Sequence, residues 1–185
     1  MGWSDHYRRR DIMDTALARA RHDEEARIPF DHIDGAREVF GTEENLLLAL
    51  HHRWTQVLTG HLRTYVAGPE DADDVPGEGS ESHGDHVDAV SRAWRAAVRR
   101  NPTLHAVVDA NVERYPALRR AHQAELRMLA VTSGLAEPHE PHDEAARIGA
   151  TLVALLRHRD TVRSSNRTTT AERWLRRLGR LASSA

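Results

Sequence analysis

The chain of 185 residues contains no cysteine and no lysine; all 26 of its basic residues are arginine. Without thiols there is no disulfide framework, no thiolate metal site and no cysteine nucleophile, a composition that fits a reducing compartment. The all-arginine bias reads as a GC-rich coding sequence of bacterial type. Long apolar runs are also missing: no uncharged stretch approaches the roughly 18 residues that a membrane span needs. Met1 to Arg10 carries charges with no apolar segment behind them, so a cytoplasmic protein without a leader is expected. Neither G-x-S-x-G, G-x-x-x-x-G-K-[ST] nor G-x-G-x-x-G occurs, which disfavours an enzyme, and no catalytic residue or cofactor is nominated. Nor does any segment alternate apolar and polar residues as a strand would.

What is present is helical periodicity over a length suited to one domain. Ile12, Ala16, Leu17 and Ala20 predict a basic amphipathic helix over about Tyr7 to Arg21. Ile28 to Gly41 is broken by Pro29 and Gly35, leaves room for one or two helical turns, and should be pinned to the core by Ile28, Phe30, Ile33, Val39 and Phe40. Thr42, followed by Glu43 and Glu44, opens a long helix to about Val66, because the hydroxyl caps a free N–H and the carboxylates suit the positive end of the dipole. Its stripe of Leu47, Leu50, Trp54, Val57, Leu58, His61, Leu62 and Tyr65 marks the central core helix.

Residues 68–82 hold Pro69, Pro76 and six acids and read as a mobile loop. Further helices are expected over about Asp85 to Arg100 (Val87, Val90, Trp94, Ala97, Val98), Asn101 to Val112 (Leu104, Val107, Val108), Pro116 to Ser133 (Leu118, Ala121, Glu125, Leu126, Met128, Leu129) and His142 to Arg157 (Ile148, Leu152, Leu155, Leu156). A last arginine-rich helix places Trp174, Leu175, Leu178 and Leu181 on one side, either docked on the fold or laid on an anionic surface. The expected whole is a single all-α domain over 1–185: about seven helices, with 7–66 and 85–182 flanking the acidic loop.

Thirteen histidines raise the question of metal. His83-Gly84-Asp85-His86 lies at the edge of the acidic loop, and His139-Glu140-Pro141-His142 is interrupted by proline; both read as polar residues at helix starts. His122 and Glu125 are the one histidine and glutamate pair at i, i+3 on a clear helix, but a carboxylate bundle site needs partners from other helices that the sequence does not identify. No native metal is therefore expected, and His83, His86, His122 and Glu125 are the nearest candidates. His61, on the apolar stripe, reads as a hydrogen-bonded pocket or core residue. A non-haem metalloenzyme using His61, His122 and Glu125 stands as an alternative.

Two segments resemble the TetR family of regulators. Arg9-Arg10-Asp11-Ile12-Met13-Asp14-Thr15-Ala16-Leu17 is similar to that family's first helix, and Val39-Phe40-Gly41-Thr42-Glu43-Glu44-Asn45-Leu46-Leu47-Leu48-Ala49-Leu50 to the entry into its long fourth helix. The resemblance implies an all-α homodimer with a helical ligand-binding part and a dimer face near Pro116 to Arg157. Between the two matches only residues 22–38 remain, too short for a helix-turn-helix, so sequence-specific DNA reading is not implied. The expected function is a TetR-like binding protein for a small molecule or a protein partner, with Trp54, His61, Tyr65, Trp94, Tyr115 and Met128 as pocket candidates. A DNA-binding regulator contacting phosphates through Arg8, Arg9, Arg10 and Arg19 is a further alternative.

Overall fold

The computed structural model describes residues 3–23, 25–66 and 81–159, without the side chains of residues 3, 4 and 81–83. The loop expected over 68–82, apart from its last two backbone positions, and the terminal arginine helix lie outside the described residues. Those that are described form an all-α fold with no strand among them. In chain order the helices are α1 (Trp3–Ala20), α2 (Ala36–Phe40), α3 (Glu43–Val66), α4 (Glu81–Arg100), α5 (Pro102–Asn111), α6 (Pro116–Thr132) and α7 (142–159). Single 3-10 turns at Phe30–His32 and Val112–Arg114 complete them. The chain divides into two compact units, Met1–Gly149 and Ala150–Ala185, and only residues 150–159 of the second are described.

In the first unit α3 is the axis: it packs against α4, α5 and α6, while α1 packs against α5 and α2. A helix with neighbours on several sides buries a wide arc. Leu46, Leu47, Leu50, Trp54 and Leu58 are all but inaccessible to solvent, and each such side chain contributes roughly 1.5–3 kcal/mol by leaving water. The inward arc differs from the expected stripe on one flank. Val57 and His61 are only half-buried and Tyr65 is 38 % exposed, whereas Leu46 and His51 are buried.

The cap expected at Thr42 is present, its Oγ1 accepting from the Asn45 N–H at 3.2 Å. Thr42→Ala should cost about 1 kcal/mol in urea unfolding, and an unchanged midpoint would show that the cap contributes nothing. Just before it, α2 is held to five residues by Gly35 (φ 75°) and Gly41 (φ 73°), left-handed conformations that a Cβ disfavours. α1 starts at Trp3 rather than Tyr7 and α4 at Glu81 rather than Asp85. Leu104, Val107, Val108, Leu118, Leu126 and Leu129 are buried as the periodicity predicts. In the second unit Leu152 and Leu156 are buried, but Leu155, expected to face inward, is 58 % exposed.

Candidate functional site

The burial of α3 and α6 against each other brings four polar side chains into the apolar interior. On α3, His51 and Trp54 stand three residues apart and both face inward. On α6, His122 and Glu125 have the same spacing, with Glu125 buried and His122 half-buried. Residues at i, i+3 share a helix face, so each helix delivers a pair to the shared interface.

Glu125 organises the group. One carboxylate oxygen, Oε1, accepts the Trp54 indole N–H at 2.8 Å. The other, Oε2, lies 3.1 Å from His51 Nε2 and 3.6 Å from His122 Nδ1. These three donor atoms all fall within 4.8 Å of one another. None is reached by solvent, and the approaches to Oε2, 3.1 Å from His51 and 3.6 Å from His122, fall short of full hydrogen-bond geometry while still placing the ring nitrogens against the carboxylate. Burial alone would raise the Glu125 pKa, but the ring nitrogens of His122 and His51 and the Trp54 N–H outweigh it and hold the carboxyl at about 2. The site therefore carries a buried negative charge that faces two imidazole nitrogens.

Behind it stands an aromatic wall. The His105 ring of α5 lies edge-on to Trp54 (centroids 4.9 Å) and to Trp94 of α4 (5.5 Å). Trp54 is thus held on one side by the edge-on His105 ring and on the other by Glu125. His122 is the member nearest solvent, its side chain 21 % exposed against 6 % for His51 and 4 % for Glu125.

This is the sole grouping of three or more histidine and carboxylate side chains with converging donor atoms among the described residues. It contains His122 and Glu125 from the sequence reading, but the third member is His51 and not His61. Ten residues on, His61 is half-buried and turned toward Tyr65 (centroids 6.4 Å), beside a shallow groove with Arg100 and Asn101. His86 is exposed on α4, and His139 and His142 are exposed as expected; the His83 side chain is outside the described set. One signal for His51 existed: His-x-x-Trp on α3 repeats the spacing of His-x-x-Glu on α6.

The pocket candidates do not surround one cavity. Trp54 and Trp94 meet through His105 in the core. Tyr115 donates its hydroxyl to Glu43 at 3.0 Å near the start of α3, and Met128 Sδ accepts from Thr59 at 4.0 Å. The arginines of α1 are engaged within the fold. Arg8 pairs with Glu38, Arg9 lies over the Phe40 ring at 4.5 Å, Arg10 approaches Asp14 at 3.8 Å and Arg19 donates to the His32 carbonyl. Between Arg21 and Thr42 the described residues make only the 3-10 turn at Phe30–His32 and the five-residue α2. Compared with protein families, curated proteins and solved structures, the chain matches none, so the TetR resemblance gains no support from them.

Proposed function

We propose that this chain is a helical metal-binding protein, its divalent ion held by His51 Nε2, His122 Nδ1 and Glu125 Oε2. One observation carries the reading: three buried donor atoms from two helices converge on one point without a hydrogen bond of full geometry among them. Buried polar atoms are nearly always paired, and a group of three left unpaired at one point calls for a shared partner. Two of the three donor separations are near those of ligands about 2.1 Å from one ion, roughly 3.0–3.5 Å in octahedral or tetrahedral geometry: they are 3.1 and 3.6 Å, and all three donors lie within 4.8 Å of one another.

Two imidazoles and one carboxylate suit iron(II), zinc or cobalt(II), and three protein ligands leave positions for water or a substrate oxygen. Trp54 supplies the outer contact that orients a ligating carboxylate, fixing Oε1 so that Oε2 points to the imidazoles. The exposed edge of His122 gives those further positions their side of approach.

The test is cobalt(II) titration of chelator-treated full-length protein, followed by its visible absorption, with zinc calorimetry in parallel. One ion per chain is expected, and His51→Ala and Glu125→Gln should each weaken it roughly a hundredfold. His61→Ala should leave affinity unchanged. Absence of binding, or binding indifferent to His51→Ala, overturns the proposal.

A further inference from the structure

A second feature of the fold lies on the opposite flank of α3. A cleft of about 840 Å³ opens there, lined by residues of α1, the end of α2 and α3. Its position on α3 is Asn45, Leu48, Ala49, His52, Arg53 and Gln56, a different face from the one that carries His51 and Trp54. The two sites share no residue.

Its chemistry is divided. Met13, Val39, Phe40, Leu48 and Ala49 give it an apolar lining. Arg9, Arg10 and Arg53 bring three guanidiniums to it, with His6 and His52 alongside, and no lining residue is acidic. Asp14, outside the lining, pairs with both Arg10 and Arg53. Arg9 is held in place by the Phe40 ring beneath it, at 4.5 Å, and by a 3.4 Å hydrogen bond to the Val39 carbonyl. Its planar fork is thereby fixed beside the apolar lining, and an arginine so placed recognises a carboxylate or phosphate through paired hydrogen bonds.

We propose that this cleft binds a small amphipathic organic anion, the acidic head paired with Arg9, Arg10 and Arg53 and the hydrocarbon body laid on Met13, Phe40 and Leu48. The volume is that of an ordinary small-molecule site. Charge selects the head and the lining selects the tail; neither inorganic phosphate nor a neutral hydrocarbon satisfies both. The inference is independent of the metal centre.

Calorimetry on the full chain with decanoate, decyl phosphate, decanol and decylammonium tests it. Both anions should bind at one site, at least tenfold more tightly than decanol, and decylammonium should not bind. Arg9→Ala should weaken decanoate at least tenfold, and Arg10→Glu, at an exposed position that does not threaten folding, should do the same. Ala49→Trp should fill the cleft and abolish binding, while His51→Ala should leave it unchanged. Preference of decyl phosphate over decanoate identifies a phosphate head; the reverse identifies a carboxylate. Equal affinity for decanol and decanoate, or anion binding indifferent to both arginine changes, overturns the proposal. So does a chain that binds no decyl anion but retains duplex DNA through the same arginines, since that assigns the charges to a nucleic-acid backbone.

Discussion

Gly149→Ala is expected to destabilise the first unit by about 3 kcal/mol or more, the upper range for overfilling a packed interior. A Cβ built on Gly149 would stand 2.0 Å from the Leu126 carbonyl oxygen and 2.6 Å from its carbon. Both are backbone atoms of α6, which cannot swing aside as a flexible side chain does. Either α7 or α6 must therefore shift by more than an ångström. Nothing in the sequence around Gly149 requires a left-handed turn; it lies inside a helix, where glycine is itself unfavourable by about 1 kcal/mol relative to alanine. On propensity alone the substitution would stabilise. The two effects have opposite signs, and the clash is the larger. Urea unfolding of the full chain measures the difference, and a loss below about 1 kcal/mol would show that the two helices part easily. Because Leu126 follows Glu125, a forced shift of α6 should also weaken cobalt(II) binding.

Gly149 illustrates which parts of this molecule are legible in its sequence. Helical periodicity gives the existence of α1 and α3 to α7 and most of their buried faces, because one turn repeats whatever the neighbours are. It does not give the width of a buried arc. On α3, contacts with α4, α5 and α6 extend that arc over Leu46 and His51 and leave His61 and Tyr65 toward solvent. An apolar stripe read from sequence places either histidine near its edge. Leu155 is the reverse case, a residue on the expected stripe that the fold leaves exposed.

The candidate site divides in the same way. His122 and Glu125 are legible because their relation is local, three residues apart on one helix. Their partners are not, because Trp54 lies 71 residues before Glu125 and no local pattern joins them. The cleft is still less visible. Its arginines read as a basic face suited to phosphates, and only the tertiary placement of Val39, Phe40 and α3 beside α1 turns that face into the wall of a cavity.

In metal-free protein, the stability contributed by Glu125 should disappear as pH falls from about 4.5 to about 2, the ordinary and the folded values of its pKa. The sign follows from proton uptake. A carboxyl whose folded pKa is depressed is ionised in both states above the ordinary value, where its full contribution is present. Between the two values the unfolded chain takes up a proton that the folded chain does not, so acid favours unfolding; below the folded value the contribution is gone. A depression of this size corresponds to roughly 3 kcal/mol, attached to a group that solvent does not reach. Glu125→Gln keeps the volume and an amide oxygen for the Trp54 N–H but removes the charge that faces His51 and His122. Wild type should therefore exceed the variant by about 3 kcal/mol in denaturant unfolding near neutral pH with chelator present, and the gap should close toward pH 2. A gap that stays constant from pH 5 to pH 2 would show that the Glu125 charge is not what the two imidazoles and the indole hold. A variant as stable as wild type at neutral pH would remove the charge from the core's energetics altogether. The hundredfold loss of cobalt(II) expected for the same substitution is read on a different instrument, so the carboxylate's part in the fold and its part in the metal centre are separable.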